Sequence, residues 1–99
     1  MYNSGRAITT LMKIYNKEAK YQGSIDDLDT KIKIFYDFCN KSGVQRDDFA
    51  SAVSIMLDGD ASDFYYKSVI GRDLGFETIM ALIRENFEGE ERRNMYQSQ

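Results

Sequence analysis

The sequence predicts an all-α fold, a compact bundle of five to six short helices within one domain that spans residues 1–99. Proline is absent, and the seven glycines fall mainly between long apolar-periodic stretches. Within these stretches apolar residues recur at spacings of three and four, which is the period of an α-helix. No alternating strand pattern and no internal repeat competes with this interpretation.

Composition indicates an ordinary globular domain with no affinity of its own for nucleic acid. Apolar residues make up 42% of the chain, charged residues 29% and aromatic residues 13%. This is enough apolar material for one core at a length of 99 residues. The net charge of −3 provides no basic field for RNA or DNA. The charge is uneven, since residues 1–50 carry eight basic and seven acidic side chains and residues 51–99 carry five and nine.

The cysteine content and the apolar runs predict a cytoplasmic, intracellular protein that does not associate with a membrane. Cys39 is the only cysteine, so no intramolecular disulfide is possible and a reducing compartment fits best. No apolar run approaches the roughly 20 residues of a membrane span, and the first ten residues contain no signal-peptide core.

The first two helices are expected over residues 5–19 and 26–42. The first helix ends before Gly23, and the second ends at Gly43. Asp26 and Asp27 favour the positive end of the second helix. The inner face of the first helix is expected to consist of Ile8, Leu11, Met12, Tyr15 and Ala19. The second helix presents a main stripe of Leu28, Ile32, Phe35 and Cys39, widened by Ile34, Tyr36 and Phe38, as expected for a central helix.

Three further helices are expected over residues 47–57, 60–70 and 76–88. The third would bury Phe49, Ala52, Val53 and Met56. The fourth would use Asp60 as its N-cap and bury Ala61, Phe64, Tyr65 and Ser68. The fifth has the cleanest repeat, Phe76, Ile79, Met80, Ile83 and Phe87. The residues after Glu88 have the polar character of a sixth helix start, so we expect the chain to be a fragment of a longer protein.

The sequence lacks the residues of familiar catalytic sites, which predicts that the protein is not an enzyme and uses no cofactor. Histidine is absent, and so are a phosphate-binding glycine loop and a cysteine-rich zinc spacing. The acidic cluster of Asp58, Asp60 and Asp63 offers carboxylates to a divalent cation, but helix capping explains it better. An EF-hand loop beginning at Asp58 would need a glutamate where the chain has Val69.

Three segments follow one another in the sequence, KIKIFYDFCNKSGV, AVSIMLDGDASDFYY and LGFETIMALIRENFEGEERRNMY. In this order they resemble the Gag capsid region of long-terminal-repeat retrotransposons, especially fungal elements. The positions that carry the resemblance are Phe35, Phe38, Cys39, Gly43, Leu57, Gly59, Ala61, Phe64, Tyr65, Phe76 and Phe87. Tryptophans are common in the family at the paired aromatic positions, and this chain has none.

The resemblance implies the fold of a capsid N-terminal lobe, retroviral capsid N-terminal-domain-like, whose copies associate around symmetry axes into a virus-like shell. In such a fold Gly59 would permit a sharp exit between helices and Ala61 would let them approach. Phe64 and Tyr65 would fill the junction. Shell assembly in the family usually involves a C-terminal lobe, which this chain lacks. The zinc knuckle and basic tail that capture RNA in many Gag proteins are also absent.

Two functions are therefore expected in order of preference, self-association and peptide binding. Ile14, Tyr66 and Ile70 lie outside the main apolar stripes and are candidate contacts between copies, although burial against a neighbouring helix is the favoured interpretation. In the second function, a domesticated Gag lobe accepts a short partner segment in a groove lined by Met12, Met56 or Met80. Arg92 and Arg93 follow two glutamates, so we interpret them as a solvated face rather than an RNA contact.

Overall fold

The computed structural model describes residues 3–89 and confirms the all-α fold for this part of the chain. It contains five α-helices: α1 (Ser4–Ile14), α2 (Leu28–Ser42), α3 (Phe49–Ala52), α4 (Gly59–Ser68) and α5 (Phe76–Arg84). Helix α1 packs against α2, and α5 packs against both α3 and α4. The start of a sixth helix predicted after Glu88, with Arg92 and Arg93, lies outside the described residues except for Gly89.

Helix α1 is shorter than predicted because Asn16 begins a separate turn. The Asn3 side chain caps α1 by accepting a hydrogen bond from the Arg6 N–H at 3.0 Å. The chain becomes extended at Tyr15, and the Asn16 side chain then accepts from the Ala19 N–H at 2.9 Å. Asparagine readily bonds nearby backbone in this way, which ends one helix and starts a 3₁₀ turn, Lys17–Ala19. The prediction that Met12 faces inward is wrong, because its side chain is exposed.

Helix α2 agrees with the prediction at its end and is central to the core. It ends at Gly43, which has a φ of 83° and so adopts the left-handed conformation of a helix C-cap. Phe35 and Cys39 are fully buried, whereas Ile32 is half-buried. The prediction that Tyr36 widens the inner arc is only partly met, because its side chain is 45% exposed.

The predicted third helix is divided into three short pieces. A 3₁₀ turn, Arg46–Asp48, leads into α3, and a second 3₁₀ turn, Val53–Met56, follows it. With three residues per turn, Val53 and Met56 fall on the same side of the second turn, and both are buried. The core position of these residues is therefore as expected, although the helix is not continuous.

Helix α4 begins earlier than predicted, and Asp60 is not its N-cap. The N-cap is Asp58, whose side chain accepts from the Gly59 N–H at 2.9 Å. The N–H of Ala61 donates to the backbone carbonyl of Gln22 at 3.1 Å, so a distant segment completes the cap. Ala61 and Tyr65 are buried as predicted, but Ser68 is exposed and does not belong to the inner face.

Helix α5 and a following π-helical turn, Glu85–Gly89, together cover the predicted fifth helix. Ile79, Met80 and Ile83 are buried, as the apolar repeat predicted. The prediction therefore holds for the position of the element and for its inner face. The wider final turn also brings Glu88 to a buried position that the apolar repeat does not predict.

A short backbone contact connects the two halves of the chain. Tyr21 and Leu57 form an isolated parallel bridge, in which the Tyr21 N–H donates to Met56 O at 2.7 Å. The Asp58 N–H donates to Tyr21 O at 2.9 Å. The bridge sets Tyr21 and its neighbour Gln22 against the turn that precedes α4.

Glu88 caps helix α2 from the other end of the chain. One of its carboxylate oxygens, Oε2, accepts from the Leu28 N–H at 3.0 Å and lies 3.5 Å from the Tyr21 hydroxyl. The other, Oε1, lies 3.4 Å from Arg84 Nη1, and Arg84 also pairs with Asp29 on α2. A carboxylate at a helix N-terminus satisfies an N–H that has no partner inside the helix and complements the helix dipole.

We predict that Glu88→Ala lowers the free energy of unfolding by about 1–3 kcal/mol, because the buried Leu28 N–H loses its acceptor. Glu88→Gln keeps an acceptor oxygen and should lower it less. Glu85→Ala, at an exposed position in the same turn, is the matched control. Urea unfolding followed by circular dichroism measures the three values, and equal stabilities for the Glu88→Ala and Glu85→Ala variants would contradict the capping role.

Candidate interaction surfaces

Four aromatic side chains from three helices form one cluster. Phe35 and Tyr36 come from α2, Phe49 begins α3 and Phe76 begins α5. Each of the four rings contacts the other three, with centroid distances from 5.2 to 6.4 Å. Because Phe35 is fully buried and Tyr36 is not, the cluster extends from the core to the surface.

The outer side of this cluster forms the wall of a groove of about 670 Å³. We call it the aromatic groove; it is lined by Tyr36, Arg46, Phe49, Gly75, Phe76, Glu77 and Thr78. Its volume is within the range of protein sites that bind ligands or peptide side chains, and it combines apolar walls with a few polar groups. Arg46 and Glu77 are exposed and place one charge of each sign at the groove.

Tyr66 and Ile70 form a second exposed apolar surface, at the end of α4. Each side chain is 54% exposed, so neither is buried against a neighbouring helix. Ile70 also borders a smaller hollow of about 170 Å³ with Tyr65, Val69 and Leu74 among its lining residues. The favoured interpretation of burial is therefore wrong for both residues, and the two candidate contacts are available at the surface.

Helix α1 presents the third predicted contact, Ile14, which is 39% exposed. Ala7 and Leu11 face the core. At 100° per residue, Ile14 and Met12 lie on opposite flanks of this buried stripe. Arg6 and Lys13 are exposed on the same side as Ile14, so its apolar surface has basic neighbours.

Ile25 is a further exposed apolar residue, which the apolar pattern of the sequence does not single out. Its side chain is 83% exposed at the tip of a turn. The turn is closed by the Asp26 N–H donating to Gly23 O at 3.0 Å and by the Gln22 N–H donating to the Asp26 carboxylate at 2.8 Å. The period of a helix does not apply to a turn, so nothing in the apolar pattern predicted where this side chain would point.

The residues that carried the family resemblance occupy structural positions. Phe35, Cys39, Leu57, Ala61 and Tyr65 are buried, and Phe38, Phe64, Phe76 and Phe87 are partly buried against the core. Gly59 has a φ of 53° at the start of α4, which favours glycine. The rings of Phe64 and Phe87 meet edge to face, with centroids 5.8 Å apart. Packing, rather than chemistry, accounts for these side chains.

Met12, Met56 and Met80, the methionines expected to line a peptide groove, do not lie along the same groove. Met56 is fully buried and Met80 nearly so, whereas Met12 is exposed on α1. Met80 borders a shallow hollow beside Tyr36 and Phe76. The prediction of a groove lined by methionine is wrong for Met56, and the groove that does exist is aromatic.

The side chains that could in principle bind a metal ion or react, Asp58 and Cys39 among them, have structural roles. Among residues 3–89, no group of three or more His, Cys, Asp or Glu side chains is arranged to hold a metal ion. Asp58 caps α4 as described above. Cys39 is buried, and desolvation raises the pKa of its thiol to about 12, which keeps it in the unreactive protonated form.

No helix in the described part of the chain is long and apolar enough to cross a membrane. No protein-family model, curated protein or solved structure matches the chain. The described residues form a small all-α domain with a packed core, an aromatic groove and separate exposed apolar patches.

We predict that the protein loses stability in alkali. Burial raises the pKa of the Cys39 thiol from 9.0 to about 12, and it also raises the pKa of the Tyr15, Tyr21 and Tyr65 hydroxyls. Above pH 9 the unfolded chain loses these protons before the folded chain does, so unfolding is favoured as the pH rises.

The free energy of unfolding should fall by at least about 1 kcal/mol between pH 9 and pH 11. Urea unfolding at a series of pH values measures it. Cys39→Ala should remove the part of the fall that begins near pH 9 and leave the part that begins near pH 10, where tyrosine titrates. A flat profile up to pH 11 would contradict the burial of these groups.

Proposed function

We propose that this chain is a non-catalytic structural module, a Gag-like capsid domain that self-associates into a virus-like shell. The observation that carries the proposal is the exposure of Ile14, Tyr66 and Ile70 outside a core that is already filled. Large apolar side chains at several separate surface positions suit contacts between proteins, which remove them from water.

The physical basis of such assembly is repetition rather than a single strong contact. A small patch around Tyr66 and Ile70 yields a weak association, and symmetry multiplies it because every copy presents the same patches. The resemblance of three consecutive segments to the Gag capsid region supports this proposal. Of the matching aromatic residues, Phe35 and Tyr65 are buried and the others pack partly buried against the core, as expected for residues with a packing role.

We predict that the protein self-associates in a concentration-dependent manner and that Tyr66→Ser together with Ile70→Ser weakens the association at least fivefold. The reason is the loss of the apolar area that the contact removes from water. Sedimentation velocity over a concentration series measures it. Tyr36→Ser is the matched control, since Tyr36 is a tyrosine of comparable exposure on another surface, and it should leave association unchanged.

A fusion to a constitutive dimer makes the test sensitive to weak contacts, because the second contact becomes intramolecular. If the free chain and the fusion both show no higher species at the highest concentration reached, the assembly function is wrong. If Tyr36→Ser abolishes association while the Tyr66 and Ile70 variant does not, the contact lies at the aromatic groove instead.

A second candidate function is that of an adaptor that binds a short peptide, and the aromatic groove favours it. The groove offers about 670 Å³ next to three partly exposed aromatic rings. Such surfaces accept apolar or aromatic side chains of a peptide, while Arg46 and Glu77 would orient its polar groups.

We predict that peptides selected from a random displayed library bind in the aromatic groove. Tyr36→Ala should weaken their binding at least tenfold, because it removes one wall of the groove, whereas Tyr66→Ala should not change it. Fluorescence anisotropy with a labelled peptide measures the affinities. The adaptor function is excluded for this groove if no selected peptide is sensitive to Tyr36→Ala.

A further inference from the structure

Two exposed faces of the protein carry opposite charge. Residues 3–20, which contain α1 and the following 3₁₀ turn, have four basic side chains and one acidic side chain. Residues 58–73, which contain α4 and the turn after it, have four acidic and two basic side chains. The first segment is therefore net +3 and the second net −2, although both also expose apolar side chains.

The basic charges on α1 adjoin its exposed isoleucine. Arg6, Thr10 and Ile14 follow one another at spacings of four, and Lys13 is three residues after Thr10, so the four share one side of the helix. We call these four residues the α1 face. Arg6 and Lys13 are exposed and form no salt bridge within residues 3–89.

The acidic charges on α4 likewise adjoin its exposed apolar pair. Asp63 and Tyr66 are three residues apart, and Asp60 is three residues before Asp63, so these side chains are neighbours on the helix surface. Ile70 follows just after the helix. We call Asp60, Asp63, Tyr66 and Ile70 the α4 face. Both aspartates are exposed, and neither forms a salt bridge in the described part of the chain. Lys67, four residues after Asp63, is exposed on the same side of the helix, so the net charge of this side is −1.

We propose that copies of this chain associate head to tail, with the α1 face of one copy on the α4 face of the next. The inference rests on the proposed self-association and names the surfaces that perform it. Arg6 and Lys13 meet Asp60 and Asp63, and Ile14 is covered by Tyr66 and Ile70. The two faces thus differ in the sign of their charge, and each has exposed apolar area for the other to cover.

The same charges disfavour the symmetric alternatives. A two-fold dimer through the α1 face would place Arg6 and Lys13 against their own copies. One through the α4 face would bring together two faces that each carry a net negative charge, even with Lys67 counted. Like charges brought together in this way oppose association and select against the wrong arrangement. A contact between two different faces leaves one free face at each end of the assembly. Further copies can therefore add, until the assembly closes into a ring or continues as an open chain.

A charge exchange between two variants tests the proposal. Variant one carries Arg6→Glu and Lys13→Glu, and variant two carries Asp60→Lys and Asp63→Lys. Each variant alone presents two faces of the same sign, so its self-association should be at least tenfold weaker than that of the unchanged chain. An equimolar mixture restores opposite signs at both contacts and should associate again, in alternation, with an affinity near the original.

Sedimentation velocity of the single species and the mixture, at low and at high salt, measures these outcomes. High salt should weaken the unchanged chain and the mixture alike, because exposed charges are screened. Lys33→Glu and Glu85→Lys reverse exposed charges away from both faces and are the matched controls. They should associate as the unchanged chain does. Circular dichroism checks that every variant is folded. If the lysines unfold α4, Asp60→Asn with Asp63→Asn replaces variant two. This variant should associate more weakly than the unchanged chain, and its mixture with variant one should form pairs only, because its unchanged α1 face can still meet the unchanged α4 face of variant one.

The outcomes separate this inference from the function on which it rests. If the chain self-associates but neither variant is weakened, or the two weakened variants do not restore each other, the head-to-tail arrangement is wrong and another surface forms the contact. If the unchanged chain remains a monomer at all concentrations, even as a fusion to a constitutive dimer, self-association itself is wrong and the arrangement falls with it.

Discussion

The fold depends on the backbone hydrogen bonds of Tyr21 and Gln22, a short segment that is enclosed between the two halves of the chain. Tyr21 is fully buried, and a buried peptide group without hydrogen bonds would oppose folding. The segment meets this requirement through Met56 O and the Asp58 N–H, while the Gln22 carbonyl accepts from Ala61. These bonds fix the start of α4 relative to the chain that leads into α2. The helices then pack around a connection that is set by backbone geometry.

The C-terminal turn closes over this same connection. Gly23 has a φ of 139°, which would strain a residue with a side chain, and the Phe87 ring packs against it, 3.4 Å from where a Cβ atom would lie. The next residue, Glu88, accepts from the Leu28 N–H at the start of α2. A ring and a carboxylate on consecutive residues therefore hold the α5 end of the chain against the Tyr21 bridge and against α2. The buried charge is tolerated because its oxygens have partners.

The sequence predicted what depends on local pattern and failed where distant groups decide. The stop at Gly43 and the buried repeat of α5 follow from glycine conformation and a period of 3.6 residues, and both are confirmed. The start of α4 was placed at Asp60 instead of Asp58, because the carbonyl that completes the cap belongs to Gln22. The hydrogen bond between the Leu28 N–H and Glu88 joins residues 60 positions apart, so the local spacing of apolar residues cannot predict it. The aromatic groove was also missed, since Tyr36, Phe49 and Phe76 meet only when three helices pack.

The exposed surfaces belong to different elements, so the proposed assembly and the proposed peptide binding do not use the same residues. The aromatic groove is formed by α2, the segment around α3 and the start of α5, whereas the two charged faces belong to α1 and α4. Exposed charges and apolar side chains on α1 and α4 contribute little to the core, so contacts between copies need not disturb the packing that forms the groove. The proposed head-to-tail contact uses none of the residues that line the groove. An assembly of this kind would display one groove per copy, and a peptide bound there would gain from the repetition without competing with the contact that creates it.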